Sequence, residues 1–129
     1  MLRADALHHV ALKAGRPGPL ARFYRDALGL EETARHVDDR GLRSVWLQIG
    51  GTVLMVERSD TPGEVPPLEA DPPGLHLLAF RIEPQDREAW AAHLRRLGHP
   101  LLRETPYSLY FVDPEGHRFA LSHYPEPRP

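Results

Sequence analysis

The sequence predicts an α+β fold in which one plan occurs twice: a strand, a helix stopped by glycine, then three more strands. Three observations predict it. Short runs alternate apolar and polar residues, whereas two longer ones repeat their apolar residues at helical spacing. Turn-forming Gly, Pro and Asp separate the runs. A strand-borne histidine stands in the same place in each half, His9 being 20 residues before Gly29 and His76 22 before Gly98, which is the mark of an internal repeat. A half of ~50–60 residues buries its sheet poorly by itself. Two curved sheets side by side, forming one trough with both histidines facing into it, meet that need.

Each element has its own reason. Leu7–Leu12 is a first strand, with Leu7, His9 and Ala11 on one face and His8, Val10 and Leu12 on the other. Pro19 suits a first helical turn; Leu20, Phe23, Ala27 and Leu28 recur as a helical stripe, and Gly29 is a natural stop. Thr33–Val37 reads as a short strand and Asp38–Gly41 as a turn. Arg43–Ile49 and Thr52–Val56 are strands joined through Gly50-Gly51. Residues 58–74 carry five prolines and read as an exposed linker. The order then repeats: a strand over Leu75–Ile82, a helix capped by Asp86 with Trp90, Leu94 and Leu97 as its buried stripe, and Gly98 at its end. Leu101–Glu104 is a strand. Tyr107–Val112 and Arg118–Tyr124 form a final hairpin around Asp113-Pro114-Glu115-Gly116, where Asp bonds its own backbone, Pro presets φ and Gly supplies φ > 0. The expected organisation is one domain over 1–129: module one at about 6–57, a linker at 58–74, and module two at about 75–124.

Composition excludes several functions. The 129 residues carry a net charge of −2 without a basic run, so nucleic acid is not the expected partner. Cysteine is absent, which removes disulfides, thiolate metal sites and Cys nucleophiles. No apolar stretch approaches the ~20 residues of a membrane span, and Met1–Asp5 does not lead into a signal-peptide core. The expectation is a soluble, cytoplasmic protein with no membrane partner. No Gly-x-Ser-x-Gly nucleophile signature occurs.

Three stretches together resemble the vicinal oxygen chelate superfamily, which holds glyoxalase I, bleomycin resistance proteins, extradiol dioxygenases and fosfomycin-resistance thiol transferases. They are the helix end Phe23-Tyr24-Arg25-Asp26-Ala27-Leu28-Gly29, the strand Gly74-Leu75-His76-Leu77-Leu78-Ala79-Phe80, and Phe111-Val112-Asp113-Pro114-Glu115-Gly116-His117. The resemblance covers about residues 6–124. It implies paired βαβββ modules, curved mixed sheets around a cleft, a small-molecule ligand and a homodimer. It also implies a divalent metal (Zn, Mn, Ni or Fe) held by His9, His76 and glutamate. The family's last-strand glutamate falls on Ala120, whose methyl ligates nothing.

The candidate residues follow. His9 and His76 are the metal candidates, but two imidazoles fall short of the three protein ligands of common sites. Glu57 and His123 are the candidates for completing the set. Glu57 faces inward with Met55 in one register, and Leu54 with Val56 in the other. His123 has the right chemistry and the opposite parity to Ala120, Ser122 and Tyr124. His8 alternates away from His9, behind the sheet or at an interface. Trp46 and Gln48 share one face, as do Ser108 and Tyr110; with Ser122 they are the candidate ligand-binding residues. Three functions compete: a binding module without the full metal site; a metal-dependent lyase, thiol transferase or dioxygenase using His9 and His76 with a rearranged third ligand; and an accessory domain without chemistry. The thiol-transferase group carries Thr two residues after its first-strand His, where this chain has Ala11.

Overall fold

The structure, a computed structural model, describes residues 1–129. The chain divides into two compact units, Met1–Gly63 and Glu64–Pro129. Their boundary lies within the proline-rich linker. No helix is long and apolar enough to cross a membrane.

The first unit holds β1 (His9–Ala14), α1 (Pro17–Leu28), β2 (Glu31–Asp38), β3 (Gly41–Ile49) and β4 (Thr52–Arg58). The strands form one mixed sheet in the order β1-β4-β3-β2, with β1 and β4 parallel and the rest antiparallel. Strand alternation divides this sheet into two chemically different faces. Leu12, Ala14, Val45, Leu47, Leu54 and Val56 are buried on one face; Leu20, Ala21, Phe23, Tyr24 and Ala27 of α1 are buried with them. Each large apolar side chain so removed from water stabilises by about 1.5–3 kcal/mol. The helix starts at Pro17, two residues before the expected Pro19. It stops at Gly29, where φ is 77° and the N–H groups of Gly29 and Leu30 bond to Arg25 and Tyr24 carbonyls. That left-handed turn is cheap only for glycine. Strand β2 runs longer than expected and is irregular at Glu32/Ala34 and His36/Val37.

The second unit holds β5 (Leu78–Arg81), a 3₁₀ turn over Pro84–Asp86, α2 (Arg87–Arg96), β6 (Arg103–Glu104), β7 (Ser108–Val112) and β8 (Arg118–Ser122). Its sheet repeats the first as β5-β8-β7-β6, with β5 and β8 parallel. The β7–β8 turn behaves as its sequence demands. The Asp113 carboxylate accepts the N–H of Glu115 at 2.9 Å and of His117 at 3.0 Å, and Gly116 takes φ 93°. The His117 ring turns back onto Asp113, its Nδ1 2.9 Å from the carboxylate.

Three expectations need correction here. The strand anticipated over Leu75–Ile82 is only Leu78–Arg81, so His76 precedes β5 and is exposed. The ladder stops for want of a partner: Leu78 pairs with Phe119, and β8 begins only at Arg118. Asp86 sits at the start of α2 but makes no side-chain cap. The stripe of α2 also differs, because Leu94 is fully buried while Leu97 is 51% exposed and Arg87 is only 2% exposed.

Candidate functional site

The candidate residues lie on the face of each sheet opposite its main apolar core, where Ser44 and Ala120 are themselves buried. In the first unit, register places three rows on that face. His9 pairs with Val53, which pairs with Gln48; Ala11 pairs with Met55, which pairs with Trp46; Lys13 pairs with Glu57, which pairs with Ser44. The open register question is therefore answered in favour of Met55 and Glu57, since Leu54 and Val56 are buried on the other face. His8, His9, Trp46, Val53 and Met55 line a cavity of about 220 Å³. His8, expected behind the sheet or at an interface, is not packed behind the sheet: it is exposed, and its Nδ1 lies 3.0 Å from Nδ1 of His9.

Glu57 shares the face of His9 but lies four residues further along the strand direction, roughly 13 Å away at ~3.3 Å per residue. Its carboxylate accepts the Lys13 ammonium at 2.5 Å and has Arg43 at 3.8 Å. It is an ion-pair partner and does not join the histidine. Gln48 is likewise occupied, its amide nitrogen donating to the Gly50 carbonyl at 2.7 Å across the hairpin it closes.

In the second unit, the matching face carries Ala79, Ala120, Tyr110 and Arg103 as one cross-strand row. Arg81, Ser122 and Ser108 form the next. The Arg103 guanidinium lies 5.0 Å from the Tyr110 ring centroid, within cation–π range. Ser108 donates to the Ser122 hydroxyl at 2.9 Å. The sequence-predicted trio Ser108, Tyr110 and Ser122 thus shares one face.

His123 faces away from that row and is fully buried. Its Nδ1 lies 2.6 Å from the Glu126 carbonyl and so carries the proton, which leaves Nε2 to accept from Arg87 Nη1 at 2.9 Å. Both nitrogens are used, and neither is available to a metal. Arg87 also donates to the Thr105 carbonyl at 2.8 Å and pairs with Glu104 at 3.3 Å. The sequence offered no signal for this network beyond a charged residue at helical spacing from Leu94.

The two units can be matched through their registers. The row Ala11–Met55–Trp46 of the first corresponds to Ala79–Ala120–Tyr110 of the second. His9 lies two residues before Ala11. The residue two before Ala79 is Leu77, and His76 is three before it; both precede β5. The repeat partner of His9 is therefore a leucine. The repeat partner of Ala120, where the resemblance puts a carboxylate, is Met55. No three His, Asp or Glu side chains gather in the structure so as to hold a metal ion. A thioether, a methyl and an isobutyl group do not make a site for a hard divalent cation, so the residues present do not fit the group that the resemblance implies.

The family model described as glyoxalase/bleomycin resistance protein/dioxygenase superfamily matches residues 6–121. A glyoxalase family protein from Enterococcus faecalis is 26% identical with TM-score 0.73, over 92% of this chain and 98% of that one. A lactoylglutathione lyase from Agrobacterium tumefaciens is 21% identical with TM-score 0.67, over 94% and 95%. An E126Q mutant of a fosfomycin resistance protein from Listeria monocytogenes, complexed with Mn(II) and 1S,2S-dihydroxypropylphosphonic acid, is 20% identical with TM-score 0.75, over 94% and 93%. The last two likenesses concern the fold alone.

Proposed function

The chain belongs to the glyoxalase/bleomycin resistance protein/dioxygenase superfamily, and from that premise we propose that it binds a small organic ligand on its open sheet faces without the family's metal chemistry. One observation carries the reading. Register puts Met55 and Ala120 in equivalent rows beside Trp46 and Tyr110, and Leu77 where the repeat would place a second histidine. The faces present aromatic and apolar walls in place of a ligand set. Small-molecule sites are usually built this way, apolar with a few placed polar groups. Here Tyr110 under Arg103 and the Ser108–Ser122 hydroxyl pair supply such groups in the second unit. The homodimer implied by the resemblance and a cytoplasmic location belong to the same reading; light scattering and fractionation test them.

Metal analysis of the tag-free protein tests the proposal. The expected result is no stoichiometric divalent ion after incubation with Mn, Zn, Ni and Fe, and no change in melting temperature on adding a chelator. About one ion per chain, lost in His9→Ala, would overturn it and return the protein to the metal-dependent lyase, transferase or dioxygenase class.

A further inference from the structure

The first unit's cavity carries a chemical restriction on its ligand. His8 and His9 sit at its edge with their Nδ1 atoms 3.0 Å apart and their rings nearly perpendicular, at 84°. Two imidazole nitrogens can hydrogen-bond only if one carries a proton and the other a lone pair. In the neutral pair the ring that donates through Nδ1 has a bare Nε2, and the ring that accepts has an Nε2–H. The pair therefore offers one acceptor and one donor, whichever ring holds which.

The remaining lining is Trp46, Val53 and Met55. The ionic groups on this face are Lys13 and Glu57, one register row from Trp46 and Met55 and paired with each other at 2.5 Å, and Glu31, which pairs with Gln48 at the far end of the His9–Val53 row. Of these the cation, Lys13, is held by Glu57, and the carboxylate of Glu31 lies across the sheet beyond Gln48, so this face offers a carboxylate ligand no free cation. The cavity volume of about 220 Å³ is below the ~300–1,000 Å³ of drug-sized sites.

Building on the ligand-binding reading above, we propose that this pocket takes a neutral ligand of single-ring size whose apolar body carries a carboxamide- or lactam-type head. The adjacent N–H and C=O of such a head meet the bare Nε2 and the Nε2–H together. A carboxylate would meet one donor only, and a hydrocarbon neither.

The test uses the full chain, with the Trp46 indole N–H followed by NMR and assigned through Trp46→Phe. Benzamide, benzoate and toluene are titrated separately. The expected result is a saturable benzamide shift at Trp46, at least tenfold tighter than either analogue. That advantage should vanish in His8→Ala/His9→Ala, where benzamide and toluene should bind equally. In Met55→Trp, which fills the cavity, all three probes should fail. Equal affinity for benzamide and toluene, or an advantage that survives in the double variant, overturns the head-group assignment and leaves the apolar site standing. No shift at Trp46 with any probe overturns both that assignment and the placement of a ligand in the first unit.

Discussion

Arg87 shows how a single charged residue can be drawn into the interior by distant partners. A charged side chain at a helix start is expected in water, yet this one is 2% exposed and bonds His123 and the Thr105 carbonyl. Replacing it with Met would leave the buried Nε2 of His123 and a carbonyl without donors. Arg87→Met should destabilise by about 2–4 kcal/mol, read as a lowered urea midpoint with unchanged slope. Gly29 is the opposite case, legible in full. A β-carbon there meets no neighbour within 4 Å but must adopt φ 77°, so Gly29→Ala should cost about 1 kcal/mol through backbone strain alone. The difference lies in where the reason resides. Glycine's role is local, whereas Arg87 depends on a carbonyl 18 residues away and a histidine 36 residues away.

At the scale of elements, Arg58 at the end of β4 grips the turn that joins β2 to β3. Its guanidinium meets both Asp38 oxygens, at 2.6 and 3.1 Å, and donates to the Leu42 carbonyl at 3.1 Å. Those Arg58 hydrogen bonds, with the Arg40 backbone N–H, pull the Asp38 carboxyl from 3.8 down to about 2. A folded-state pKa below the unfolded one gives stability that is complete above the unfolded value and lost as pH falls through the folded one. The melting-temperature gap between wild type and Asp38→Asn should therefore be constant above pH ~4 and close as pH drops towards 2. A gap that stayed constant down to the lowest pH would refute the pairing. The same scale explains β5. Leu75–Ile82 is an apolar-rich run suited to a strand, but a strand needs a neighbour, and β8 supplies one only from Arg118 onward. The expectation for His76 rested on its own segment; its placement was decided by another.

At the scale of the molecule, the proline-rich linker is tied to the second unit by one side chain. Arg118 Nη2 donates to the carbonyls of Pro67, Leu68 and Ala70 at 2.9, 3.2 and 3.2 Å. Carbonyls in a proline-rich segment have few backbone N–H partners, and a guanidinium supplies them. Arg118→Met should speed proteolytic cleavage within residues 64–71 several-fold while the melting temperature falls little. Unchanged cleavage would show that the linker is held by other contacts.

The sequence by itself determined the plan of the molecule: two strand-helix-three-strand units, their glycine stops, their hairpin turns, and the common face of Ser108, Tyr110 and Ser122. These follow from period, turn chemistry and alternation, all carried within a few residues. The tertiary structure decided which face Met55 and Glu57 share, that Glu57 belongs to Lys13, that His123 belongs to Arg87, and that Leu77 rather than His76 corresponds to His9. Each depends on strand register or on a partner distant in sequence. A one-residue shift of register exchanges the two faces of a strand, and no local pattern near His76 records where its neighbouring strand begins.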